Sequence, residues 1–319
     1  MAVSVTVKKA LKIVYKRVLL PNFNKTIGVF IKEPTFLSVD EDNSIYCSLS
    51  SKPGYKYRIN FGMGVVYNVF DLNNTSVGKA KFKSMLPDLK TVFLGAYFHE
   101  VGHLVFTAMS DTRIAKLPAI SFKGHTIAQS PFVHLLFNIL EDQVIEYSMR
   151  TKYKSRLERS GGVDPRSVGS LLSGNREIIL KESVSKYEDV PNSFFALCDF
   201  LLLRLSFPKT FTGVNSFYDA HPENKDYVLR FLKERDATKR IDIVLEYWAW
   251  LLTSDMEILV GGPSIASRMP SSSAGTGVGG ISKAPSKAPA AAGESKPCSP
   301  ILPIKFHVSS FSLFSLKVL

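Results

Sequence analysis

The spacing of apolar positions changes several times along this chain, and each change marks an element. Over residues 5–20 the apolar positions recur at helical spacing while Lys8, Lys9, Lys12, Lys16 and Arg17 fill the positions between, which predicts an amphipathic basic helix. At Tyr55, Tyr57, Ile59 and Phe61 the period drops to two, with Lys56, Arg58 and Asn60 alternating, as in a half-buried strand. Residues 65–70 form a second candidate strand. The run TVFLGAYFHEVGHLVFTAM, residues 91–109, is apolar on most sides and free of proline, so it predicts a largely buried helix. A further helix is expected over SPFVHLLFNILEDQVIEYSMR, with Ser130 as N-cap and Pro131 at the first helical position. Helical patterns then recur over residues 166–187, 192–207, 223–235 and 239–258, separated by Pro191, Pro208 and Pro222.

These elements make an α+β protein. Residues 1–90 hold the basic helix and a β-rich part, and residues 91–260 hold the helices. From 261 to 300 the composition turns to Gly, Ser, Ala, Pro and Lys, which predicts a disordered linker with too little apolar surface to fold. It includes GTGVGG, a letter-for-letter dinucleotide fingerprint with neither a strand before it nor a helix after it, and so without the context that gives the motif meaning. Residues 301–319 are an apolar segment with partial alternation, suited to a docked strand or a partner-binding tail.

Chemistry concentrates at His99-Glu100-Val101-Gly102-His103. Imidazoles at i and i+4 share one helix face and can reach one metal at about 2.0–2.1 Å, while the adjacent glutamate can hold a water without being a ligand. With six histidines among 319 residues, a chance HExxH has odds of roughly one in a hundred. Gly102 leaves room for a close neighbour. A catalytic zinc takes three protein ligands, so a third must come from elsewhere. His134, Asn138 and Glu141 form a polar stripe on the next apolar helix, costly to bury unless it faces a polar site, and Glu141 is the expected third ligand. Asp142 and Glu146 compete from a neighbouring stripe, with Arg150 set to pair Glu146 on the surface. Asp142, His134, Asn138 and Tyr147 are candidates for contacts behind the ligands. His134, His125, Tyr147 and Tyr153 are candidate oxyanion donors.

HEVGHLVFT followed by FNILEDQVIE resembles the metallopeptidase-like domain of cobaltochelatase-subunit-like proteins of phages and bacteria, and more broadly the gluzincin zinc metallopeptidases. The resemblance covers residues 91–150, with weaker support to about 258. It implies a zincin-like metallopeptidase core, one catalytic zinc on His99, His103 and Glu141, and Glu100 as general base. The reaction implied is hydrolysis of a peptide or protein substrate. It also allows a second reading, a catalytically silent scaffold working with a separate AAA+ ATPase or a von Willebrand A-domain partner. Two departures stand out: Val144 occupies a position that is often arginine in that family, and no D-x-S-x-S motif of a von Willebrand A domain occurs.

Composition narrows the picture further. Three scattered cysteines, Cys47, Cys198 and Cys298, fit a reducing compartment and no disulfide framework, and no signal peptide or membrane span is evident, so a cytoplasmic location is expected. The formal net charge of +12 has a visible source in the N-terminal lysines. They suit weak contact with nucleic acid, an acidic partner or an anionic membrane, and the first gives a third reading: a basic nucleic-acid-associated protein with a structural zinc.

Overall fold

The computed structural model describes residues 4–40, 45–64, 76–159, 192–209, 211–258 and 305–307. The expected strand at 65–70, the helix at 166–187 and the linker at 261–300 lie outside them.

The chain opens with a short strand β1, Ser4–Thr6, and runs into one continuous helix. This comprises α1, Val7–Val14, a π turn over Tyr15–Leu19, and α2, Leu20–Phe30. The basic helix is thus present and ends ten residues beyond the amphipathic pattern, with Pro21 accommodated directly after the π turn. The π turn absorbs one extra residue. It keeps Leu11 and Val14 before it in phase with Leu19 at its end and Phe23 and Thr26 after it, and all five are buried.

Strands β2 (Thr35–Asp40), β3 (Ile45–Leu49) and β4 (Tyr57–Gly62) build the main sheet, with β8 (Lys305–His307) at its edge, in the order β2-β4-β3-β8. β2 runs parallel to β4, and β3 pairs antiparallel with both β4 and β8. The C-terminal segment therefore supplies a docked strand. Ile45, Cys47, Ile59 and Phe61 share the face turned to the core, where Phe61 stacks on Phe93 at 4.5 Å.

β5, Ser76–Gly78, pairs with β1 and leads into α3, Lys79–Phe106. This helix begins twelve residues before the apolar run that marks it. Pro87 is tolerated inside because it lies on an exposed stretch where the unmade backbone bond faces water. The hairpin β6 (Ala119–Phe122) and β7 (His125–Ala128) turns the chain through Lys123 and Gly124, at φ 48° and 80°, the backbone a two-residue I′ hairpin demands. α4, Gln129–Lys152, follows. Its N-cap is Ala128, two residues ahead of the expected Ser130 and without a side-chain cap; the Gln129 side chain donates to the Pro118 carbonyl and accepts from Trp248 Nε1.

The short α5, Lys154–Arg159, extends α4, and α6 (Phe194–Ser206), α7 (Ser216–Ala220), α8 (Pro222–Lys233) and α9 (Ala237–Thr253) complete the described helices. α3 and α4 are the central pair. The sheet and the N-terminal helix cover one side of α3, while α6, α8 and α9 pack on α4. Gly102 sets how near the two can come: a Cβ there would stand 3.1 Å from Met149 Cγ and 3.4 Å from Ile145 Cβ. No described helix is long and apolar enough to cross a membrane.

Candidate metal centre

The close approach at Gly102 brings the polar residues of α3 and α4 into register. His99 and His103 project from α3 one turn apart, and Asp142 Oδ1 from α4 lies 3.5 Å from His99 Nε2 and 3.2 Å from His103 Nε2. The three residues are 0–5 % exposed, and their donor atoms lie close enough together to hold a metal ion.

The contacts behind the imidazoles fix which atoms face inward. His99 Nδ1 lies 3.1 Å from Glu146 Oε1, one turn beyond Asp142 on α4. A carboxylate there takes the ring N–H and leaves Nε2 as a lone pair. His103 Nδ1 lies 3.2 Å from Thr107 Oγ1, and that hydroxyl donates its own proton to Glu141 Oε1 at 2.7 Å. Having donated, Thr107 can only accept from His103, so this ring also presents a lone pair at Nε2. Both imidazole Nε2 atoms and a carboxylate oxygen thus converge, an arrangement that a proton on a ring or a bound metal cation satisfies.

The spacing supports a metal in that role. Ligands on tetrahedral bonds of about 2.0–2.1 Å lie roughly 3.3–3.4 Å apart, and the two nitrogen-to-oxygen separations straddle that value. Two nitrogens and one oxygen are also a donor set suited to zinc.

Glu100 is completely buried beside these residues, and neither of its oxygens has a hydrogen bond of ordinary geometry. Burial raises its pKa, while His103, His99 and the Cys47 thiol of β3 pull in the other direction. Burial likewise pushes the Cys47 thiol well up, and the Glu100 carboxylate adds to that. Burial opposes a charge on His99, but Asp142 and Glu146 outweigh it and raise the imidazole well above its ordinary range. Asp142 also pays for burial, yet the two imidazoles hold it well below the usual carboxylate range.

The structure separates residues that the sequence groups together. Glu141, expected as the third ligand, is turned away from His99 and His103. Arg240 of α9 donates to both its oxygens, Nε to Oε2 at 2.7 Å and Nη2 to Oε1 at 2.8 Å, and Thr107 takes a further contact. Neighbours on a helix differ by about 100°, so Asp142 faces α3 when Glu141 faces α9. Glu146 does not pair with Arg150 on the surface; it holds His99, and Arg150 lies over the Tyr147 ring. Tyr147 is 60 % exposed and is not brought to the group. His134 is not part of it either, and burial alone lowers its pKa to about 4. Asn138 sits one turn before Asp142 with its Oδ1 buried and unpartnered. His125 is exposed on β7, and Tyr153 packs against Phe30.

Arg240 and Thr107 are site residues that the sequence reading did not name, and Glu146 is one it weighed as a ligand and paired with Arg150 instead. Arg240 left a trace in the pattern: it lies on the buried stripe of α9 with Val244, Tyr247 and Leu251, the one charge among apolar residues. Glu146 did too, since Asp142 and Glu146 repeat on α4 the i, i+4 spacing of His99 and His103 on α3.

No protein-family model matches this chain, and neither a curated protein nor a solved structure matches it at a significant level.

Proposed function

We propose that this protein is a zinc-dependent hydrolase that cleaves peptide bonds, with His99, His103 and Asp142 as metal ligands and Glu100 as general base. The observation that carries the reading is the convergence of both Nε2 atoms on Asp142 Oδ1, with Glu100 buried one residue from His99. A zinc ion on these ligands supplies a Lewis acid and brings the pKa of a bound water toward neutrality. Glu100 has the chemistry of a base that must take a proton from water and hold it until an amine leaves, because burial already favours its protonated form. Glu146 and the chain Thr107, Glu141, Arg240 keep both imidazoles in the tautomer that binds metal and fix their planes.

Replacing Glu100 by Gln in the full chain tests the assignment. Cleavage of a quenched peptide library should fall to background while zinc content stays near one per chain. Cleavage that survives the change rules out Glu100 as the base.

A second reading is favoured by the burial of all four groups, which are 0–5 % exposed. In it the metal staples α3 to α4, the chain cleaves nothing, and any energy-driven work falls to a separate AAA+ partner. Zinc binding that raises thermal stability in wild type and Glu100→Gln alike, with no cleavage by either, supports this reading against the first.

A further inference from the structure

The net charge of +12 is not spread over the molecule. Residues 1–32 carry seven Lys or Arg and no acid, residues 33–260 carry 27 basic and 27 acidic residues, and residues 261–319 carry six and one. Residues 33–260 are neutral, and within residues 1–258 the excess lies in residues 1–32, six of its seven charges on the N-terminal helix.

That helix has two different faces. Leu11, Val14, Leu19 and Phe23 are buried, and Thr26 Oγ1 meets Tyr97 OH of α3 at 2.9 Å. The opposite face presents Lys9, Lys12, Lys16, Arg17 and Lys25, all exposed, and among the described residues no carboxylate forms an ion pair with any of them. At its far end the face continues onto α5, where Arg156 Nη1 donates to the Val29 carbonyl at 3.0 Å. From Val7 to Phe30 the helix is roughly 36 Å long.

We infer that this face is a docking surface for duplex DNA, held through the phosphate backbone. Several features of the face decide among polyanions. A membrane-surface helix inserts its apolar side into the lipid; here that side is already committed to the core, and Ile13 and Val29 are the only large apolar side chains exposed on the helix among the described residues. A single-stranded nucleic acid is gripped by stacking on exposed aromatic rings; here Tyr15 and Tyr153 are half-buried and packed against the core, and the exposed residues of the face among those described are not aromatic. The row of cations from Lys9 to Lys25 spans about 24 Å of helix, roughly seven base pairs of B-form duplex, and suits contact with successive phosphates.

The test is fluorescence anisotropy of a labelled 24-base-pair duplex DNA of arbitrary sequence, titrated with the full chain from about 50 to 200 mM salt. The triple change Lys12→Glu, Lys16→Glu, Arg17→Glu is compared with Lys225→Glu, Lys233→Glu, Lys239→Glu, an equal charge change on exposed positions of α8 and α9. Wild type should bind with a log–log salt slope near −3 or steeper; the first variant should lose at least about tenfold in affinity and flatten the slope by about 2.7, while the second stays within about threefold. Glutamine at the first three positions should reproduce most of the loss. Equal weakening in both charge-reversed variants overturns the proposal, as binding would then follow overall charge or the basic C-terminal residues. Preference for duplex RNA over DNA, or binding to phosphatidylserine vesicles without binding to DNA, overturns it as well.

Discussion

Arg240 and Glu141 form a two-pronged ion pair across α9 and α4, at 2.7 and 2.8 Å, with the arginine 1 % exposed and the glutamate fully buried. The remaining guanidinium contacts are to the backbone carbonyls of Phe106, Glu234 and Arg235. A carboxylate so held is an outer support for His103, reached through Thr107, and its neighbour Asp142 is left to face the imidazoles.

Glu141→Gln and Asp142→Asn should therefore fail in different ways. Glu141→Gln leaves a buried arginine without its counter-charge and should cost about 3–5 kcal/mol of stability, with zinc still bound to the folded fraction. Asp142→Asn should abolish tight zinc binding, because a neutral amide replaces the anionic ligand. Denaturant titration read beside zinc content separates the two.

Weaker effects belong to the residues behind the ligands. Glu146→Gln and Thr107→Val should each weaken zinc affinity by about 10–100-fold without removing the site, because the rings lose the partners that orient them. Competition against a chromophoric chelator gives the constants. Loss confined to Glu146→Gln would mean that Thr107 does not hold His103.

Gly102 controls the distance between the two helices. Gly102→Ala should be tolerated within about 1 kcal/mol: the new Cβ meets the flexible Met149 side chain at 3.1 Å, and alanine favours the helix. Gly102→Val adds branches that push on Ile145, should cost about 1–3 kcal/mol, and should lower zinc affinity by moving Asp142 away from the imidazoles. Thermal melts with and without zinc check both.

Acid should destabilise the fold partly through His134. Its pKa is pushed down to about 4 by burial, whereas in an unfolded chain it lies near 6.5. Between those values the unfolded chain binds the extra proton, so stability falls as pH drops through that window and is retained above it. The full contribution at neutral pH is on the order of 3 kcal/mol. His134→Gln should lose less stability than wild type between pH 7 and pH 4.5, as measured by urea unfolding at each pH.

How much of this was written in the sequence depends on the distance over which each contact acts. The i, i+4 histidines, the alternation over Tyr57 to Phe61 and the apolar runs of α6, α8 and α9 are local periodicities, and they locate the elements. The choice between Glu141 and Asp142 is not local. The two are adjacent, so spacing to His134 and Asn138 favoured Glu141; the decision rests with Arg240, ninety-nine residues further on and carried by another helix. The path of β8, which reaches back to pair with β3 from residue 305, is equally a matter of tertiary contact. Glu146 was misread for a related reason: an arginine four residues on is a ready surface partner, and only the approach of α3 offers His99 in its place.

The most direct measurement is the zinc content of the purified full chain, by elemental mass spectrometry, beside His103→Ala, Asp142→Asn and Glu141→Gln. About one zinc per chain in the wild type, lost in His103→Ala and Asp142→Asn and kept in folded Glu141→Gln, is the result this account predicts. Zinc that survives in Asp142→Asn but disappears from folded Glu141→Gln, or a wild-type chain that takes up no zinc on reconstitution, would contradict it.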